Sequence, residues 1–187
     1  MSTKARILKS GKGEITQAYK ANVHNGIDIV REGYKLDYIV AHSAGTVVQV
    51  INNSNINTPN DTTNPGNMVR IDHGNGYQTR YLHLEYGSVT VKVGDKVNKG
   101  QTLGYMGNTG NSFGSHLHFE VIYNGEVLKN NEKINPTIYL EQDLPNNTIV
   151  NVYYRVKTQK HGWLPEVKNL EDYAGDGKNP IKAIATA

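Results

Sequence analysis

The 187-residue chain contains no cysteine. That absence removes disulfide scaffolds, Cys-ligated zinc and thiol nucleophiles together, so any metal held here has to use histidine and carboxylate. Long apolar runs are missing too: no stretch approaches the roughly 18 apolar residues of a membrane-spanning helix. The first ten residues, MSTKARILKS, carry positive charge without the apolar core of a secretory signal. From these absences we expect a soluble monomer that engages no membrane and is made in the cytoplasm without a signal peptide. An excess of one charge is lacking as well. Lys and Arg number 20 against 17 Asp and Glu, a net of +3, well below the charge density of a nucleic-acid binder.

What the chain does have is glycine, 19 residues of it, and short β-branched segments bounded by Gly, Asn and Asp. This texture predicts an all-β or β-rich domain. Strands are expected at Ile27 to Val30, Thr46 to Ile51, Met68 to Asp72, Gln78 to Leu84, Gln101 to Met106 and His118 to Tyr123, and no helix of 12 or more residues. Turn signals at Asn25-Gly26, Gly74-Asn75-Gly76, Gly94-Asp95 and Asn124-Gly125 are too short for crossovers, so the pairing should be antiparallel. Between two of the strands lies a polar insertion, Asn52 to Asn67, with two prolines. It reads first as a mobile surface loop and second as the wall of a groove.

The organisation predicted is a main domain over residues 1–142, a linker over 143–148 and a small module over 149–187. Up to Thr148 there are 14 basic and 13 acidic residues, and after it 6 and 4. The tail is therefore the more basic part for its length. Without cysteine or metal, fewer than 40 residues rarely sustain a core, so the tail either docks on something or continues a pattern interrupted at Ala187. Its aromatic residues Tyr153, Tyr154, Trp163 and Tyr173 suit a small strand core before sugar stacking.

Seven histidines stand against the absent cysteines. Three segments concentrate metal-competent side chains: His24-Asn-Gly-Ile-Asp28, Tyr81-Leu-His83-Leu84 and His116-Leu-His118-Phe-Glu120. On an extended backbone His116 and His118 share one face with Cα atoms about 6–7 Å apart, so one can ligate metal while the other faces substrate. His24 and Asp28 would lie about 13 Å apart on a straight strand, and the bend expected at Asn25-Gly26 brings them closer. Two neutral nitrogens, one carboxylate oxygen and an open fourth position make the pattern of catalytic zinc. A single histidine on a strand is more often a satisfied polar residue than a ligand; three such segments beside glycine turns argue otherwise. His42, His73 and His161 lack partners of this kind and read as structural, His73 in a hairpin turn.

These residues resemble the lysostaphin-like zinc peptidases of the M23 family. The resemblance rests on His24-x-Gly26-x-Asp28, on Gly66-Asn-Met-Val-Arg-Ile-Asp-His-Gly74 followed by Tyr81-Leu-His83-Leu84, on Val93 to Gly104, and on Gly107 to Glu120 with its His116-x-His118. It covers Ile15 to Leu140 and implies an antiparallel sheet groove of the lysostaphin-like, duplicated hybrid motif type. It implies further that His24, Asp28 and His118 bind one zinc ion, that His83 and His116 are catalytic, and that the substrate is peptide in bacterial peptidoglycan. A non-catalytic wall-binding or activating module, or a component of a phage tail, are the rival readings; relatives of the first kind characteristically lose ligands, and none is missing here. Two stretches depart from the family pattern, Ala18 to Asn22 and Leu36 to Ala41; neither is expected to touch a ligand, and both bear on substrate detail and the groove floor. The segment Val152 to Gly175 looks like repeat units of clostridial and phage wall lysins, which implies an endolysin that reaches the wall after release from the cell that makes it.

Overall fold

The computed structural model describes residues 3–4, 6–21, 23–74, 76–123, 126–127, 136–140 and 144, together with the backbone of four short strands in the tail. The chain divides into two compact units, Met1–Asn146 and Asn147–Ala187. Among the described residues there is no α-helix; a 3-10 turn at Pro136–Leu140 is the one helical element.

Strands β1 (Thr3–Lys4), β2 (Lys12–Gln17), β3 (Ile27–Arg31), β4 (Tyr38–Val40), β5 (Gly45–Ile51) and β6 (Asn67–Asp72) lead into β7 (Tyr77–Leu84), β8 (Lys96–Val97), β9 (Thr102–Tyr105), β10 (Leu117–Tyr123) and β11 (Glu126–Val127). Nine of them form one antiparallel sheet in the order β1-β2-β3-β10-β7-β6-β5-β8, with β11 paired to β10, while β4 and β9 form a separate antiparallel pair. All six expected strands are present with ends shifted by one residue at most. The strands not anticipated, β1, β2, β4, β8 and β11, have two to six residues and, except β4, a largely polar sequence. Their pairing comes from neighbours in the sheet, not from an apolar pattern of their own.

The side-chain alternation of a strand sends neighbouring residues to opposite faces. On β3 this buries Ile27 and Ile29, and on β10 it buries Leu117, Phe119 and Val121, all in the core. Asp28, His118 and Glu120 consequently face the other way, into a groove. Behind the sheet, Ile39 and Ala41, at or next to β4, pack with Leu103 of β9 and with Ile7, Leu8, Tyr139 and Leu140 to close the core. The stretch Leu36 to Ala41, expected to bear on the groove floor, thus serves the core side instead. Its residues Ile39, Val40 and Ala41 are buried, and an apolar run gains more there than on a polar groove.

Tyr81 and Phe119 are cross-strand partners with ring centroids 5.4 Å apart, both fully buried. The Tyr81 hydroxyl accepts the His42 backbone N–H at 2.8 Å and the Thr79 hydroxyl at 3.1 Å, so the one polar atom in this layer is satisfied. His42 itself is buried, with Nδ1 2.8 Å from the Ser43 hydroxyl and Nε2 against the Tyr139 carbonyl, which ties the 3-10 turn to the core.

The second unit contains two nested antiparallel pairs, β12 (Tyr153–Tyr154) with β15 (Val167–Lys168) and β13 (Lys157–Thr158) with β14 (Gly162–Trp163). His161 and Tyr173, the side chains of Tyr153, Tyr154 and Trp163, and the Asn124-Gly125 turn lie outside the described residues.

Replacing Phe119 with Ala removes the ring that backs the groove. Urea unfolding should show a loss of about 3–5 kcal/mol; a loss below about 1 kcal/mol would contradict the central place given to this layer.

Candidate metal centre

The groove is built from β2, β3, β10 and β7 and from the loops at one end of the sheet. It has a volume of about 880 Å³, within the usual range for small-ligand sites. All five residues singled out in the sequence line it: His24, Asp28, His83, His116 and His118.

Three of them converge. His118 and Asp28 are direct Cα partners across β10 and β3, and His24 arrives from the preceding turn, where its backbone bonds to Lys20. His118 Nδ1 lies 2.7 Å from Asp28 Oδ1, His24 Nε2 lies 3.1 Å from the same oxygen, and the two nitrogens are 3.2 Å apart. Tetrahedral zinc with bonds of about 2.0–2.1 Å separates its ligands by about 3.3 Å. Two sides of the triangle need to widen by only about 0.1–0.2 Å and the His118–Asp28 side by about 0.6 Å, so the residues fit a metal of that kind.

Each imidazole has its second nitrogen occupied, which decides the nitrogen left for chemistry. His24 donates Nδ1–H to the Ala18 carbonyl at 3.0 Å, leaving the Nε2 lone pair for the triangle. The Ala18 to Asn22 departure therefore does reach a ligand, against expectation, but through a backbone carbonyl that any residue supplies. His118 has Nε2 3.3 Å from Glu120 Oε1, leaving Nδ1 to face Asp28. His83 donates Nδ1–H to the Thr109 carbonyl at 2.9 Å, and His116 donates Nδ1–H to the Gly114 carbonyl at 2.7 Å. His83 keeps a free Nε2, and its ring stands 4.9 Å from that of His116 beside the triangle. His116 Nε2 is 3.4 Å from Asp28 Oδ1.

Electrostatics follow from this packing. Burial disfavours the Asp28 carboxylate, but the close approach of the His116, His118 and His24 rings outweighs it and holds its pKa far below the usual carboxylate range. Burial and the neighbouring His116 and His118 push His83 down to about 4, the Thr109 carbonyl opposing only partly. His83 is therefore neutral at pH 7 and able to accept a proton. His118 is also disfavoured as a cation by burial, yet Asp28 and Glu120 together raise it to about 9. A metal ion held at the triangle would take the place of that proton.

Two local devices could not be read in advance. Gly26 does more than bend the chain: a Cβ there would sit 2.5 Å from the Phe119 carbonyl oxygen and 2.7 Å from His118 Nε2, so only glycine leaves room for the ligand ring. His83 has φ of +62°, the left-handed region that non-glycine residues rarely adopt. It lies opposite a register shift between β6 and β7, the signature of a β-bulge. Tyr81 and Leu84 face the core, and strict alternation would send His83 in with Tyr81; the bulge turns it into the groove beside Leu82.

The insertion Asn52 to Asn67 is no free loop. Asn57 Nδ2 donates to the Ser112 carbonyl at 2.6 Å and the Asn108 carbonyl at 2.9 Å, and backbone bonds join Thr58 and Ile56 to Gly110 and Asn64 to Asn111. Gly66 and Gly110 come so close that a Cβ on either would strike the other loop's backbone. The same loop carries Thr62 to Pro65 into the groove wall, and the Pro65 carbonyl accepts the His83 backbone N–H at 3.3 Å. The groove-wall reading is the correct one, since asparagine amides can replace the solvent that a polar loop otherwise seeks. His73 keeps the turn role expected of it, with Nδ1 2.8 Å from the Ala44 carbonyl and Nε2 2.9 Å from the Thr79 hydroxyl. Sequence reasoning passed over Glu120 and Arg80, which lie in the groove as an ion pair at 2.8 Å; the i, i+2 spacing of Glu120 from His118 was the available signal.

Known proteins resemble this chain in sequence and in fold. Peptidoglycan DD-endopeptidase ShyA of Vibrio cholerae is 52% identical over 63 residues, 34% of this chain and 14% of that one. An uncharacterized metalloprotease of Buchnera aphidicola is 35% identical over 109 residues, 58% of this chain and 26% of that one. The chain thus spans only a minor part of these relatives' length. Among solved structures, a zinc containing peptidase from Vibrio cholerae superposes with a TM-score of 0.54 at 26% identity, covering 76% of this chain and 41% of that one. The catalytic domain of the antimicrobial peptidase lysostaphin from Staphylococcus simulans does so with a TM-score of 0.50 at 25% identity, covering 70% of this chain and 91% of that domain. The sequence model of peptidase family M23 matches residues 22–136, a span that holds the whole triangle and both flanking imidazoles, and the chain belongs to that family.

Proposed function

We propose that the chain is a zinc-dependent endopeptidase that hydrolyses peptide bonds in bacterial peptidoglycan. The observation that carries this reading is the convergence of His24 Nε2, Asp28 Oδ1 and His118 Nδ1 beside two further imidazoles, each with Nδ1 fixed by a backbone carbonyl. When bound, zinc supplies Lewis-acid polarisation of a carbonyl and lowers the pKa of water toward neutrality.

The protein's own groups do the rest. His24, Asp28 and His118 would hold the ion with two neutral nitrogens and one carboxylate. His83, with Nε2 free, and His116, with Nε2 beside Asp28 Oδ1, handle protons: between them they accept one from the attacking water and deliver one to the leaving amine. As a proton donor either also stabilises the negative charge that develops on the carbonyl oxygen. Leu82 and Val30 on the groove floor limit water around these groups. The groove walls carry Thr62, Thr63, Asn64, Asn111 and Ser112, hydrogen-bonding side chains suited to a peptide backbone.

Peptidoglycan as the substrate draws support from the relative named a peptidoglycan DD-endopeptidase. A purely binding role is disfavoured because no member of the five-residue set is lost. We read the tail, residues 149–187, as a wall-binding module, on its basic charge and its likeness to repeat units of clostridial and phage wall lysins. On the same ground we read the whole as a phage or prophage endolysin that acts on the wall after leaving the cytoplasm.

Metal-free protein reloaded with zinc should release new amino termini from purified bacterial walls, and chelation should abolish that release. Folded, zinc-loaded protein that releases none would refute the proposal. His116→Ala should retain zinc while hydrolysis falls about 10²–10⁴-fold, whereas His118→Ala should lose the metal; metal analysis of the two purified variants separates the roles, and equal zinc content in both would contradict them. Gly26→Ala should weaken zinc binding about tenfold or more by displacing the His118 ring, measured by chelator competition; unchanged affinity would show that the ring does not need that space.

A further inference from the structure

The metal triangle and the two flanking imidazoles leave a charged pair in the same groove without a role, its acid buried and its base half-buried. Glu120 and Arg80 are cross-strand partners on β10 and β7, and both face the groove. Glu120 is 5% exposed and divides its carboxylate, with Oε1 3.3 Å from His118 Nε2 and Oε2 2.8 Å from Arg80 Nη1. Arg80 in turn sets Nη2 3.9 Å from Met68 Sδ and leaves a buried Nε without a hydrogen-bond partner.

We propose that Glu120 and Arg80 are positioning residues for the metal centre: Glu120 accepts the hydrogen on His118 Nε2, so that Nδ1 presents its lone pair to the ion, and Arg80 holds Glu120 in place. This deepens the zinc-enzyme reading and rests on it.

A neutral imidazole has one lone pair, and which nitrogen bears it depends on where the hydrogen is accepted. His118 has acceptors on both sides. If its hydrogen sat on Nδ1 it would donate to Asp28 Oδ1, 2.7 Å away, and the triangle would close on itself as a hydrogen bond. Glu120 offers the alternative acceptor at Nε2. The strand sets this up with little freedom, because residues 118 and 120 lie on one face two positions apart. A carboxylate as buried as Glu120 is costly by itself, and the Arg80 guanidinium opposite offsets that cost. The other imidazole of the triangle, His24, uses the neutral Ala18 carbonyl for the same task and needs no counter-charge. The two ligand histidines are thus oriented by different means, and only the His118 side depends on a charge pair.

The test is zinc affinity by competition with a chromogenic chelator on the full chain, alongside thermal unfolding of the metal-free protein. Glu120→Ala and Arg80→Ala should each weaken zinc binding about 10–100-fold. Glu120→Gln, whose amide oxygen still accepts from Nε2, and Arg80→Lys should recover most of that loss. Affinities within threefold of wild type for both alanine variants, with normal metal-free unfolding, would overturn the inference. If the alanine variants fail to fold, long-range proton–nitrogen NMR of the zinc-loaded wild type decides instead: a hydrogen on His118 Nε2 supports the inference, and one on Nδ1 overturns it. A wild-type chain that binds no zinc overturns the metal-centre reading and this inference together, whereas normal wild-type binding with unchanged variants overturns this one alone.

Discussion

The antiparallel register between β3 and β10 is the constraint on which everything else in the groove depends. It sets Asp28 directly opposite His118, residues 90 positions apart in sequence, and it does so only because Ile27, Ile29, Leu117 and Phe119 are sealed into the core on the other face. A slip of one residue would turn the ligands inward and the core outward. The apolar layer therefore acts as the registration device of the metal centre, and the precision of the triangle comes from hydrophobic burial more than from the polar contacts themselves. Catalytic groups on strands of a packed sheet are held more closely than groups on loops.

One catalytic group escapes the discipline of alternation and is held by other means. His83 leaves the core-facing row through a bulge with left-handed backbone, a conformation that costs of order 1–3 kcal/mol and persists only where surroundings over-determine it. Those surroundings are the Thr109 carbonyl on its ring and the Pro65 carbonyl on its backbone. They come from two loops that asparagine side chains and a glycine–glycine approach fasten together. The long polar insertion thereby becomes part of the machinery that aims His83.

Much of this was legible in the sequence. The six main strands and their antiparallel pairing followed from β-branched segments and short glycine turns. All five groove residues followed from the spacing of histidines and from the resemblance to a known family. What was illegible has a common physical cause. The insertion looked solvent-seeking because asparagine is polar, but its amides are satisfied by backbone carbonyls on another loop, a long-range match that composition does not encode. Leu36 to Ala41 was placed near the groove because of its position along the family pattern, whereas its burial against β9 depends on the second sheet. Gly26 was read as a bend, while the reason for its smallness is an imidazole 92 residues downstream. Glu120 was in view beside His118 and gained meaning only once Arg80 stood across from it.

The central claim is that His24, Asp28 and His118 hold a single zinc ion and leave a position open in a groove flanked by His83 and His116. A crystal structure of the zinc-loaded chain, with anomalous scattering recorded at the zinc edge, tests it most directly. The account predicts one peak within bonding distance, about 2.0–2.2 Å, of His24 Nε2, an Asp28 oxygen and His118 Nδ1, with no fourth protein ligand. A zinc ion bound elsewhere, or one whose fourth position is closed by His83 or His116, would contradict it.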